Sequence, residues 1–327
     1  MSKPVEYRNP KPKMVKFTKK QFDQMFPNDA TCLEWLRNRL YPEGVYCEKC
    51  EAVTKHHRVK SRPSYSCDHC GHHVHPTAGT IFHKSPTPLT TWFYAIYLMA
   101  STRCGISAKQ IERETGVTYK TAWRMFKQIR SMLNDEPPFS GPGTYNGKLT
   151  RKIEVDEAYF GGRRKGGGGR PMRGDTDAKV TVVGVAQRQG RVKAVLAEDA
   201  KASTLKGIVK EHVLPGAIVF TDEWVGYNDL RNLGYQHHRI NHSAKIYVAG
   251  DVHTNTIEGF WSLVKSGIRG VYHQVGRNYL QTYLNEYSFR YNRRFDTQPM
   301  FTSFLHQIEK RETVAYRAPV PVEVEPF

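Results

Sequence analysis

Two Cys-x2-Cys pairs, Cys47 with Cys50 and Cys67 with Cys70, are separated by sixteen residues in a chain of 327. Each pair forms a turn that aims two sulfurs at one ion, and four thiolates at this spacing complete a tetrahedral zinc shell. Residues 44–76 are therefore expected to fold as a zinc ribbon around one structural Zn2+, because four thiolates leave no position open for catalysis. The alternative is paired disulfides or redox dithiols, which a cytosolic chain with no thioredoxin-like pattern disfavours. His56, His57, His69, His72, His73 and His75 lie close by. With four cysteines available they read as polar surface, and Cys32 and Cys104 as packed or loop thiols.

Lys and Arg number 49 against 31 acids, a formal charge of +18, which attracts a phosphate backbone without specifying a sequence. A nucleic-acid partner fits this balance, and together with the helix pair of residues 106–124 the expected partner is double-stranded DNA. The longest strongly apolar run, Trp92 to Ala100, is too short to cross a bilayer, and the Lys-rich start from Met1 to Lys20 has no apolar core for secretion. These features predict a cytoplasmic protein with no membrane partner. At this length two or three domains are expected, and 39% hydrophobic residues suffice for at least one sizeable core.

After an N-terminal helical segment (1–43) and the ribbon, residues 77–133 read as helical. Pro88 to Ser101 places Trp92, Ile96 and Met99 on one stripe. Ile106 to Arg124 reads as helix, Gly-containing turn, helix, with a capping box from Ser107 and Gln110 and a second cap at Thr118. Ala122, Trp123, Phe126 and Ile129 should face inward. Lys120, Arg124 and Lys127 then share the outer face, as on a recognition helix entering a major groove; an ordinary helical bundle is the alternative. The polar, Pro- and Gly-rich stretch 134–148 reads as a linker.

Beyond it stand three carboxylates, Asp156, Asp222 and Glu258, spaced D-x65-D-x35-E. Lys152 to Phe160 alternates and is rich in β-formers, so Asp156 should project from a strand; Ala217 to Phe220 is a short apolar run delivering Asp222 at a strand end. Around Glu258 the pattern becomes helical, with Ile257, Phe260, Trp261 and Val264 on the apolar face and Glu258 and Lys265 together on another. Acids on strand ends and a helix face suit two Mg2+ (or Mn2+) ions that activate an attacking oxygen and stabilise a departing one in phosphodiester chemistry. Lys265 would hold a phosphate nearby. Against this, most of 31 acids must simply be solvated.

A basic, Gly-rich loop carrying Arg163, Arg164 and Lys165 follows Asp156 and reads as a DNA clamp, or as a solubilising segment. Strand runs at 179–187 and 191–197 and a helix at 203–212 complete the order β, β, β, α, β, α. That order predicts a ribonuclease-H-like α/β domain over 149–311. It ends in a basic aromatic helix (277–294) whose Arg290, Arg293 and Arg294 are candidate phosphate contacts, or a solvated helix end over packed tyrosines. Residues 312–327 read as a mobile tail.

The blocks Val155-Asp156-Glu157-Ala158-Tyr159-Phe160-Gly161-Gly162, Thr221-Asp222-Glu223, His253 to Lys265 and Tyr283 to Arg294, in this order, resemble bacterial insertion-sequence DDE transposases with a zinc ribbon, the ISXO-like group. The likeness extends over roughly residues 20–310. It implies an enzyme of the bacterial cytoplasm and nucleoid that binds terminal inverted repeats, nicks each end to free a 3′-hydroxyl and joins it to target DNA. It further implies Asp156, Asp222 and Glu258 as metal ligands, with Lys265 as the helix lysine. Some relatives use asparagine as third ligand, which makes Asn255 the alternative to Glu258. His253 is a candidate scissile-phosphate contact or a structural helix-start residue. Synapsing two ends implies a homodimer or larger assembly. A transcription regulator without catalysis, or a nuclease without strand transfer, are the competing functions.

Overall fold

Thr18 opens the first helix through reciprocal bonds: its hydroxyl accepts from the Gln21 amide, and the Gln21 side chain accepts from the Thr18 amide. That helix is α1 (Lys19–Met25), and Asn28 caps α2 (Asp29–Leu40) in turn. The computed structural model describes residues 15–134, 144–161, 179–240 and 253–309. The ribbon that follows comprises a hairpin of β1 (Val45–Cys47) and β2 (Ala52–Thr54), and an antiparallel sheet of β3 (His56–Val59), β4 (Ser64–Cys67) and β5 (His73–Val74). Asp29 accepts the amides of Leu89 and Thr90, at 3.1 and 2.9 Å, and so begins α3 (Leu89–Ser101).

Phe22, Phe26, Trp35, Phe93 and Phe301 interlock edge-on or tilted, with Trp92 fully buried beside Phe82. Among the described residues this aromatic core unites 17–97 with 301–309, and those within 98–300 form a second unit. The division departs from the segments read in the sequence. The helix pair of 106–131 groups with the acidic domain, and residues 301–309 with the ribbon, because distant residues supply their packing surfaces.

In the second unit α4 (Ala108–Thr115) is capped by Ser107 and ends on Gly116 at φ +72°, the left-handed position that glycine tolerates. Gln110 does not complete a capping box; its side chain donates to Glu114 instead. Thr118 caps α5 (Tyr119–Ser131). The short hairpin of β6 (Thr144–Tyr145) and β7 (Lys148–Leu149) leads into β8 (Lys152–Phe160), β9 (Val180–Gln187) and β10 (Val192–Ala197). After them come α6 (Ala202–His212), β11 (Ile218–Thr221), a 3-10 helix at Val225–Leu233, β12 (Gln236–Arg239), α7 (Asn255–Gly267), α8 (Arg277–Asn292) and α9 (Met300–Leu305).

The sheet order is β10-β9-β8-β11-β12, with β8, β9 and β10 antiparallel and β11 and β12 parallel to β8. The expected β, β, β, α, β, α order is present, with β12 added at the edge before α7. Alternation along β8 divides its side chains between two cores. Ile153 and Val155 join α6 and the 3-10 helix on one face, while Ala158 and Phe160 join α7 and α8 on the other. Close approach of α7 requires Gly184: a Cβ there would lie 2.5 Å from both Ile257 and Trp261.

A buried ion network joins α5 to α8. Arg130 Nε donates to Glu286 (2.7 Å), Arg290 donates to the other Glu286 oxygen (2.7 Å), and all three side chains are buried. Burial opposes the charge on Glu286, but Arg130 and then Arg290 hold its carboxyl below the usual range. Its stabilisation is thus present above the ordinary carboxylate range and is lost only as acid protonates it. Glu286→Gln leaves two buried guanidiniums without their counter-charge and is expected to destabilise this unit by about 3–5 kcal/mol, measured by urea unfolding at pH 7. A loss below about 1 kcal/mol would show that water reaches the arginines.

Candidate active site

Asp156 projects from β8 beside Gly184 of β9, and Asp222 stands one residue past the end of the parallel neighbour β11. The two strands start in register, Ile218 against Lys152, so the acids arrive at the same level of the sheet. Their carboxylate oxygens, with one from Glu157, all lie within 4.8 Å of one another. Asp222 is fixed by the Trp224 amide, which donates to it at 3.0 Å, and Asp156 by the Trp261 indole N–H at 3.1 Å. Burial first, then the charges of Asp222 and Glu258, push the Asp156 carboxyl up to about 6. Tyr227, buried beneath the cluster, is raised well above its ordinary value by burial and by the charges of Glu157, Asp156 and Asp222. A hard divalent cation matches this all-oxygen, mutually repelling donor set.

Helix α7 brings the remaining expected residues. An open cavity of about 390 Å3 is lined by Asp156, Glu258, Trp261, Ser262, Lys265, Ser266 and Arg269. Glu258 and Lys265 therefore share a cavity with Asp156, so that acids and cations line the same space. The Glu258 carboxylate stands outside the tight cluster and accepts the Thr254 hydroxyl at 2.7 Å. Asn255 is exposed and is not among the cavity-lining residues. His253 is 3.2 Å from the Glu154 carboxylate.

Glu157 and Arg269 were not singled out in the sequence. Strand alternation sets Glu157 and Asp156 on opposite faces of β8, so the sequence pattern gives no sign that one Glu157 oxygen lies within 4.8 Å of those of Asp156 and Asp222. Arg269 is the next cation one turn beyond Lys265, a spacing that could have disclosed it.

The four expected zinc ligands converge. Their sulfurs lie within 4.8 Å of one another, with Cys47 to Cys70 at 3.5 Å and Cys50 to Cys67 at 3.9 Å. Tetrahedral bonds of about 2.3 Å place sulfurs about 3.8 Å apart, so the set fits zinc. The Thr54 hydroxyl, 3.2 Å from Cys67, draws that thiol down to about 5, while hydrogen bonding with Cys70 first pushes Cys50 up to about 12.

The other candidate DNA contacts are placed unevenly. Lys120 and Lys127 are exposed on α5 and Arg124 is half-buried; Lys127 lies over the rings of Trp123 and Tyr279. Ala122, Phe126 and Ile129 are buried as expected, and Trp123 is half-buried against Tyr279. Arg163, Arg164 and Lys165 lie outside the described residues, as do the 312–327 tail and most of the 134–148 linker. Arg290 requires correction: it is buried, paired with Glu286 and donating to the carbonyls of Thr102 and Met99, so it cannot reach phosphate. Arg293 stacks on Phe289, and Arg294 donates to the carbonyls of Gly190 and Tyr291.

The acids that β8 and β11 bring together beside an acid-bearing helix, and the four-cysteine ribbon, fall within two domain families. Residues 148–292 match the model of the ISXO2-like transposase domain, and residues 27–73 that of the transposase zinc-ribbon domain. The chain belongs to this zinc-ribbon-bearing, ISXO2-like transposase family. It is 27% identical over 281 residues to an uncharacterised protein in transposable element ISH50 of Halobacterium salinarum, covering 81% of this chain and 91% of that one. An uncharacterised transposase-like protein of Haemophilus influenzae is 29% identical over 102 residues, 31% of this chain and 81% of the relative. A crystal structure of a pre-cleavage Mos1 transpososome aligns at 10% identity with a TM-score of 0.27, covering 66% of this chain and 76% of that one. Among the described residues no helix is long and apolar enough to cross a membrane.

Proposed function

We propose that this transposase binds the terminal inverted repeats of an insertion sequence, nicks each end to free a 3′-hydroxyl and joins that end to target DNA, the 3′-oxygen attacking a target phosphodiester whose own 3′-oxygen leaves. The observation that carries the reading is the meeting of Asp156 and Asp222 oxygens within 4.8 Å beside a cavity that also takes in Glu258 and Lys265. Asp156, Asp222 and Glu258 hold Mg2+ or Mn2+, with the neighbouring Glu157 available to the same cluster. When bound, such cations activate the attacking oxygen and stabilise the departing one. Trp261 orients Asp156 through its N–H bond, and Lys265, with Arg269 one turn on, holds backbone phosphate in the cavity. Lys120, Arg124 and Lys127 on α5 contact the duplex as a recognition helix would, supported by the +18 charge of the chain. At least two copies act together, because two ends must be joined in one event.

The test is incubation of labelled element-end DNA with the chain, with and without Mg2+, followed by pre-cleaved ends with a plasmid target. Binding without Mg2+, nicking only with it, and joined product from pre-cleaved ends are expected. Binding with no cleavage under any metal indicates a regulator instead. Cleavage with no joined product indicates a nuclease.

A further inference from the structure

We propose that Glu154 is a positioning residue: it fixes the start of α7 and thereby sets where Glu258 stands relative to Asp156. This rests on the reading of Asp156, Asp222 and Glu258 as metal ligands and adds the device that assembles them.

Glu154 is a fully buried acid in mid-strand, on the same face of β8 as Asp156 and two residues before it. The first turn of a helix carries unpaired amides and the positive end of the helix dipole, which a capping side chain normally satisfies. Thr254, at the cap position of α7, makes no such bond; its hydroxyl goes to Glu258. The role falls to Glu154, which accepts the amides of Thr256 at 2.7 Å and Ile257 at 3.0 Å, and the Thr256 hydroxyl at 2.9 Å. Its charge is offset by Arg188, whose Nε donates to it at 2.7 Å and whose terminal nitrogen donates to the His253 carbonyl at 2.6 Å. Arg188 lies on the β9–β10 turn with its guanidinium 4.0 Å from the Phe220 ring centre, so strand, turn and helix start are tied at one point.

A second tie lies one turn along α7, where Trp261 donates to Asp156. Glu258 sits between the two. With the helix held at 256–257 and at 261, it can neither slide nor rotate against β8; a slip of one residue would shift Glu258 by about 1.5 Å and turn it by about 100°. A buried acid with this many partners is more than a helix cap, because both ends of the tie are neighbours in sequence of proposed ligands.

The experiment measures Mn2+ binding by calorimetry to the zinc-loaded full-length chain, for the wild type, Glu154→Gln, Glu258→Ala and the double variant. Glutamine keeps one acceptor but turns an N–H toward the helix amides. Glu154→Gln should weaken Mn2+ binding about 10-fold, the usual scale for residues that orient metal ligands. Adding it to Glu258→Ala should weaken binding no further, since the residue it positions is already gone. Unchanged affinity in Glu154→Gln, or a double variant as weak as the product of the two single effects, overturns the proposal. Should circular dichroism show Glu154→Gln unfolded, Thr256→Val, which removes one hydroxyl bond, decides: weaker Mn2+ binding supports the proposal and unchanged binding overturns it. Wild-type protein that takes up no Mn2+ removes the metal site itself and this inference with it. Normal wild-type uptake with indifferent Glu154 and Thr256 variants removes this inference alone.

Discussion

Asp156→Asn is expected to lower Mg2+-dependent nicking at least about 100- to 1000-fold while making the metal-free protein more stable at pH 7. Both effects have one origin. Burial and the charges of Asp222 and Glu258 hold the Asp156 carboxyl up at about 6, so at neutral pH the folded chain keeps an ionised acid where its neighbours repel it. An acid raised in this way contributes stability below its ordinary value of 3.8, and that contribution disappears as pH rises through about 6. Asparagine keeps the shape and removes the repulsion, a gain of about 1–2 kcal/mol after allowing for water in the open cavity. Thermal melts of the metal-free proteins at pH 5 and pH 7.5 should show the variant ahead mainly at the higher pH, and added Mn2+ should stabilise only the wild type. If Asp156→Asn melts lower than wild type at pH 7.5 without metal, the acids do not repel and the cluster is not strained. If nicking persists in the variant, Asp156 is not a metal ligand.

Loss of zinc should have the largest structural effect. Cys67→Ser, or stripping with a strong chelator, removes a term that in small zinc domains amounts to about 10 kcal/mol or more at neutral pH. The strands it supports are two to four residues long and bury few apolar side chains beyond the cysteines, chiefly Val45 and Tyr65; β2 is largely exposed and β3 buries one residue, His56. Hydrogen exchange should show amides of residues 45–74 losing protection together, while β8, β9 and β11 remain protected because their packing lies within the other unit. One equivalent of zinc in the wild type and none in Cys67→Ser is the accompanying result. Protection of 45–74 that survives zinc removal would mean the ribbon holds itself together without metal.

Several elements were readable because their signals are local. The Cys-x2-Cys pairs state their own geometry. Val180–Gln187 and Ile218–Thr221 are runs of strand length rich in β-branched residues, and the caps at Ser107 and Thr118 begin α4 and α5 where their side chains allow. Elements whose reason lies elsewhere in the chain were hidden. Strand β12, Gln-His-His-Arg, has no apolar pattern; among the described residues it is an edge strand paired with β11, and its buried His237 meets Thr221 at 2.9 Å. Arg290 looked like surface charge on a basic helix; it is buried because Glu286, one turn away, and Arg130, on a distant helix, form a closed ion network around it.

What the sequence determined alone was the inventory: four thiols at zinc spacing, acids set on a strand, at a strand end and on a helix face, and the order of strands and helices. Short-range chemistry carries each of these. Tertiary structure alone decided which charges are available for chemistry and how the acids meet. Glu154 looks like Asp156 in the sequence, yet it is closed off by the first turn of α7 while Asp156 opens to the cavity. Glu157 joins Asp156 and Asp222 although alternation sets it on the other face of β8. Such outcomes depend on which helix lies over which strand face, and that is settled by close fits such as Gly184 beneath Ile257 and Trp261, contacts between residues more than seventy positions apart.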